Sequence, residues 1–184
     1  MKLVRFVGRA WRAHDPTWSF APISGAGAAI TGGRFNRPGE PTLYLALSPM
    51  LAVREASQGL SDRLRPLTLC EYDIDCADIV DLADAAAREA AGVAMADLAC
   101  AWLDDLLAKR TAPSWRLAER LRAEGAAGAM VPSFAPGADV TDRNLVLWRW
   151  SGDLPGKVEV FDPTGRLPSN QLSWLNRTAD LPVR

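Results

Sequence analysis

Arg34 and Glu55 flank a short apolar run, and their types and surroundings could do chemistry together. Arg34 sits in Gly32-Gly33-Arg34-Phe35-Asn36-Arg37-Pro38-Gly39, just ahead of Leu43-Tyr44-Leu45. Neighbouring glycines let a backbone approach a ligand closely, while a planar guanidinium grips a phosphate through two parallel hydrogen bonds. Glu55 shares a helical stripe with Leu51, Ala52 and Ala56, the stripe expected to turn inward. A carboxylate taken out of water there is costly unless something compensates it. Residue type and spacing alone leave two plainer readings open: Glu55 paired with a structural arginine, or solvated on a helix whose inner stripe lies elsewhere.

The elements that must position these groups follow from the pattern of the chain. Leu3–Val7 is predicted as a short strand, followed by a Gly/Pro/Ser-rich connection, Gly8–Pro41, of a length that usually carries function. Thr42–Leu47 reads as a buried strand between Pro41 and Ser48-Pro49. Ser48 as N-cap and Pro49 at the first helical position start a helix predicted through Gln58 and stopped by Gly59. Pro66–Ile74 predicts a strand with Cys70, Tyr72 and Ile74 on one face. Met95, Leu98, Ala99, Trp102 and Leu106 form one helical stripe, and Ser114 is expected to cap a second helix ending before Gly125. Strands return at Gly128–Pro132, Leu145–Trp150 and Lys157–Phe161, with turns at Asp153–Gly156 and Asp162–Gly165. Trp148 and Trp150 are expected on one shared face as core, with Arg149 solvated. Strands, then helices, then strands predict a single α+β domain over residues 1–184, with 169–184 as a C-terminal tail.

Composition removes whole classes of function. A chain of 184 residues, 48% hydrophobic and 23% charged, is neither disordered nor fibrous. A net charge of -1 argues against a general polyanion binder. Residues 1–37 nevertheless hold six basic side chains and one acidic one, a local anion site on an acidic body. Three cysteines without a C-x-x-C and a single histidine, His14, cannot make a Cys/His zinc site, and a disulfide scaffold does not suit this length. The N-terminus lacks the apolar core of a signal peptide, and the charge-free run Pro16–Gly33 is broken by glycines and prolines, so no membrane span and a cytoplasmic location are expected. Gly25-Ala26-Gly27-Ala28-Ala29-Ile30 lacks the third glycine of a dinucleotide fingerprint, and Gly152-x-x-x-Gly156-Lys157-Val158 has the wrong spacing for a P-loop. No G-x-S-x-G is present, and one histidine makes a Ser-His-Asp triad a poor fit.

As a set, Trp11-Arg12-Ala13-His14, the Gly32–Gly39 block, Leu43-Tyr44-Leu45, Ala52-x-x-Glu55 and Val131-Pro132-Ser133 resemble the RES domain, the toxin of Xre–RES toxin–antitoxin pairs. Phe35 stands where many members have tryptophan, and an aromatic is kept. The resemblance implies a fold related to ADP-ribosyltransferases, with a twisted mixed or antiparallel β core and flanking helices. It implies consumption of NAD+ by cleavage of the nicotinamide–ribose bond, with no metal. Some members pass ADP-ribose to phosphate or water, others to a protein; transfer to a protein target is the reading preferred here. The expected partner is an Xre-like helix-turn-helix antitoxin that occludes the site, an acidic or carboxylate segment of it mimicking the substrate's phosphates. Neither direct nucleic-acid binding nor a membrane is expected.

The chemistry of such a site assigns roles. Nicotinamide is a cationic leaving group, so the barrier lies in an oxocarbenium-like ribose. Glu55 would stabilise that charge. Tyr44 would pack nicotinamide or its ribose and orient it with the hydroxyl. Arg12 and Arg34 would neutralise the pyrophosphate, and Ser133 would bind a phosphate or the acceptor. Asn144 and His14 are further candidates, His14 not as an acid or base. Each residue also has a plain reading: Tyr44 as core, Arg12 as a solvated charge, Ser133 as a turn residue. A non-catalytic nucleotide-binding module and a purely structural domain are the competing classes.

Overall fold

The computed structural model describes residues 1–57 and 65–172. Six strands, β1 (Val4–His14), β2 (Leu43–Ala46), β3 (Thr68–Asp81), β4 (Gly128–Pro132), β5 (Arg143–Leu147) and β6 (Gly156–Val160), form one sheet. Helices α1 (Ala26–Thr31) and α2 (Pro49–Ala56) lie between β1 and β3 in sequence. Between β3 and β4 come α3 (Ala85–Ala90), α4 (Met95–Leu98), α5 (Trp102–Leu107) and α6 (Pro113–Ala123). The result is the expected α+β domain with a mixed sheet.

Pairing curls that sheet on itself. β1 runs antiparallel to β3, from Val4 opposite Ile79 to His14 opposite Thr68, and meets β2 where Trp11 faces Ala46. β2 continues onto β5, β5 onto β4, and β4 in parallel onto β3, so β1-β2-β5-β4-β3 closes a ring. β6 adds to β3 beside β4. Alternation along the strands then sorts side chains between two faces. Leu43, Leu45, Leu145 and Leu147 join Tyr72, Ile74 and Cys76 on one face, where each buried leucine contributes about 2 kcal/mol. On the other face Val131 and Val146 pack under Leu98, Leu117 and Leu121, while Ala46 packs with Leu51 and Ala52 of α2 over Trp11 and Ala13. Between those two helix-covered patches the sheet is left open, and this gap is the cavity.

Several expected elements hold and several change. β4 spans Gly128–Pro132 as predicted, β2 (Leu43–Ala46) lies within the predicted Thr42–Leu47, and Ser48 Oγ accepts from Leu51 N–H at 3.2 Å as the cap of α2. Such a cap contributes about 1 kcal/mol; the predicted end of this helix at Gln58-Gly59 falls outside the described residues. Cys70, Tyr72 and Ile74 share the buried face of β3. β1, by contrast, runs seven residues past Val7, because the long antiparallel partner β3 satisfies a backbone that Gly8 seemed to interrupt. The supposed loop Gly8–Pro41 therefore contains most of β1, a 3-10 turn at Pro16–Trp18 and the short α1.

The stripe from Met95 to Leu106 is not one helix: the chain breaks at Ala99–Ala101 between α4 and α5, and Met95 is exposed. Ser114 lies inside α6, whose N-cap is Ala112, and its hydroxyl points to another segment. Trp148 and Trp150 follow the end of β5 at Leu147, so strand alternation no longer applies. They pack on different clusters, each with its indole N–H on a backbone carbonyl. No helix among the described residues is long and apolar enough to cross a membrane.

Candidate active site

The open gap in the sheet is a cavity of about 350 Å³. Arg12, Arg34, Tyr44, Glu55 and Asn144 all line it, with Trp102 and Phe134 adding aromatic surface. The order of elements explains the gathering: β1, β2 and β5 are neighbours, α2 follows β2 directly, and the Gly33–Asn36 turn precedes β2.

Glu55 is half-buried on the last turn of α2, and its neighbours on the helix, Leu51 and Ala52, are packed against the sheet. Two side chains from other elements hold its carboxylate. Ser133 Oγ donates to Oε1 at 2.7 Å and Asn144 Nδ2 donates to the same oxygen. Asn144 comes from β5 and Ser133 from the residue after β4, so a strand pair fixes an acid carried by a helix. Charge-assisted bonds of this kind hold a carboxylate in one orientation. Among the described residues no group of His, Cys, Asp and Glu is arranged to hold a metal ion.

Arg34 is held differently. Its Nη1 donates to the carbonyls of Leu98 at 3.1 Å and Cys100 at 2.6 Å, in the break between α4 and α5. The guanidinium lies over the Phe134 ring, 4.7 Å from the centroid. Burial pulls its pKa below the ordinary arginine value, and the nearby Glu55 carboxylate works against that shift. Glu55 and Arg34 line the same cavity.

Three expected roles change. Tyr44 puts its ring on the cavity, but its hydroxyl donates to Asn36 Oδ1 at 2.8 Å and accepts from Phe35 N–H at 2.9 Å. It holds the Arg34 turn rather than reaching for a ligand, and burial raises its pKa, so it stays protonated. Ser133 Oγ donates to Glu55 and accepts from Ala135 N–H, so it positions the acid. Arg12 touches the cavity, yet its Nη1 donates to the carbonyls of Pro22 at 3.1 Å and Ser24 at 2.8 Å. It ties down the segment after β1, and burial lowers its pKa too. His14 is buried, is not among the residues lining this cavity, and has no hydrogen-bond partner at either ring nitrogen among the described residues. Burial, reinforced by Arg12, brings it down to about 4, so it is neutral at physiological pH.

Sequence reasoning missed Phe134 and Trp102 as cavity residues and missed the carbonyls of Leu98 and Cys100. An aromatic directly after Ser133 was a usable signal for the first; backbone carbonyls carry none.

Comparison with known proteins fits this geometry. The chain resembles a chain of the crystal structure of the M. tuberculosis MbcT–MbcA toxin–antitoxin complex, at 24% identity and a TM-score of 0.55. The similarity covers 87% of this chain and 84% of that one, and it shows a shared fold. No curated protein matches. The RES domain profile matches residues 9–170, from β1 to beyond β6 and including every cavity residue named above, so this chain belongs to the RES domain family.

Proposed function

We propose that this chain is the toxin of a toxin–antitoxin pair and consumes NAD+ at the nicotinamide–ribose bond, passing ADP-ribose to a protein. The observation that carries the reading is Glu55: a carboxylate held by Ser133 and Asn144 on the wall of a cavity that also presents Arg34. Membership of the RES family and the likeness to a chain of a toxin–antitoxin complex support it.

In this mechanism the bond between ribose C1 and the pyridinium nitrogen breaks, and its electron pair leaves with nicotinamide, which becomes neutral. Positive charge builds on the ribose, and the Glu55 carboxylate stabilises it. Because Ser133 and Asn144 already fix Oε1, the acid need not reorganise during reaction. Arg34 carries the charge that meets the diphosphate, and the Tyr44 ring packs the nicotinamide side. The acceptor's nucleophilic atom attacks C1, forming the new bond there, and its proton passes to solvent. An Xre-like antitoxin with an acidic segment would close the same cavity, and the toxin acts in the cytoplasm, where NAD+ is available.

The test is incubation of the purified chain with NAD+ labelled in its adenosine half, alongside Glu55→Gln. Nicotinamide release by wild type and none by the variant is expected, with label on a protein band. Free phosphorylated ADP-ribose would replace transfer by phosphorolysis. Absence of nicotinamide release from wild type under all acceptors would overturn the reading in favour of a binding module.

A further inference from the structure

The turn that carries Arg34 is built with unusual thoroughness. Gly33 and Asn36 bridge each other, Gly33 N–H donating to the Asn36 carbonyl at 3.0 Å. The three successive carbonyls of the turn are each captured by a side chain from elsewhere. Trp115 Nε1 donates to Gly33 O at 2.8 Å, the Ser114 hydroxyl to Arg34 O, and Trp148 Nε1 to Phe35 O at 3.0 Å. Trp115 and Ser114 are buried on α6 and line no part of the cavity, and Arg37 stacks over Trp115 at 5.3 Å. Gly33 has no room for a side chain, since an added Cβ would come within 2.7 Å of both Asn36 Oδ1 and the Tyr44 hydroxyl.

A trans peptide is planar, and its C=O and N–H point in opposite directions. Capturing a carbonyl toward α6 therefore aims the next residue's N–H away from α6. The Arg34–Phe35 peptide shows this directly: its carbonyl goes to Ser114 and its N–H goes to Tyr44, whose ring lines the cavity. The Gly33–Arg34 peptide has the same sense, with its carbonyl on Trp115. Its N–H, that of Arg34, has no hydrogen-bond partner among the described residues. Arg34 Nε and Nη2 are likewise without a protein partner among the described residues, Nη1 being held by Leu98 and Cys100.

We infer that the Arg34 backbone N–H and the outer edge of its guanidinium together form a built oxyanion-binding fork for a diphosphate, with Trp115 as the positioning residue that aims the N–H. This rests on the reading that the cavity takes NAD+, and it adds a main-chain donor that a side-chain substitution at Arg34 cannot remove. A fixed N–H on a phosphate oxygen is a charge-assisted bond with no conformational freedom left to lose.

The experiment uses the whole chain and inorganic pyrophosphate as probe. In 15N-labelled wild type, pyrophosphate is expected to shift the Arg34 amide proton downfield and slow its exchange with solvent. Trp115→Phe keeps the ring and loses the indole N–H; it is expected to weaken pyrophosphate binding about tenfold and raise KM for NAD+ in proportion, with kcat nearly unchanged. If that variant does not fold, the wild-type amide measurement decides alone. An Arg34 amide unmoved by saturating pyrophosphate, or no pyrophosphate binding at all, overturns the inference even if NAD+ is cleaved. A shifted amide in a protein that never cleaves NAD+ upholds the fork and removes the enzymatic reading.

Discussion

Among the described residues, Glu55 receives hydrogen bonds from two side chains, Ser133 and Asn144, whereas Arg34 donates to two backbone carbonyls, those of Leu98 and Cys100. The difference follows from donor chemistry, since a carboxylate needs donors and a guanidinium needs acceptors. It also has a consequence for how the site tolerates change. The acid is supported by groups that substitution can delete one at a time. The arginine is supported by main chain, so its orientation depends on the break between α4 and α5 and on the Phe134 ring rather than on any one polar residue.

The sharpest way to separate the two sides is to remove the acid's charge while keeping its shape. Glu55→Gln is expected to lower nicotinamide release at least about 100-fold with little change in melting temperature, read by product assay and thermal denaturation. A variant that cleaves NAD+ normally would reduce the acid side to packing.

Acidification loads the strand on which the Glu55 helix rests, through His14 at the end of β1. Folding lowers its pKa from 6.5 to about 4, so between those values the unfolded chain binds a proton that the folded chain refuses. The stability this histidine permits is intact above pH 6.5 and is lost as pH falls toward 4. The loss is about 3 kcal/mol, measurable by denaturant titration at both ends of the window. His14→Phe should flatten that dependence. An unchanged pH profile in the variant would remove His14 as its source.

Asn144→Ala and Ser133→Ala are each expected to reduce kcat about tenfold, because each deletes one charge-assisted bond to the acid. Both donors meet on Oε1, so the double variant should fall short of the product of the two effects. Strictly multiplicative losses would show that the two donors act separately. The smallest effect belongs to the arginine side. Phe134→Leu removes only the ring beneath the guanidinium and should raise KM for NAD+ about two- to fivefold, leaving kcat in place. A kcat effect as large as that of Asn144→Ala would erase the contrast.

Much of this was legible in the chain. Ser48-Pro49 announces α2, the apolar run between Pro41 and Ser48 announces β2, and the stripe Leu51, Ala52, Glu55 announces an acid facing a sheet. Arg34 among glycines announced a backbone open to a ligand, whereas the space a side chain would need at Gly33 is taken by Asn36 and the Tyr44 hydroxyl. What misled were residues with two local meanings. Gly8 reads as a strand breaker until β3 lies alongside it. Ser114 reads as a cap until Arg34 O appears above its hydroxyl. Ser133 reads as a ligand for a phosphate or the acceptor, or as a turn residue, and its hydrogen bond to Glu55 carried no signal in the chain.

By itself the sequence determined which side chains carry charge, where short elements begin, and which family pattern the residues spell, because those depend on local propensity and residue identity. Only the tertiary structure decided what each polar group is bonded to. Asn144 and Glu55, hydrogen-bonded in the structure, lie 89 residues apart in the chain, and no local preference encodes a pairing across that distance. Closing the ring of strands brought α2, the Arg34 turn and the end of β4 around one gap, and that closure turned dispersed residues into a site.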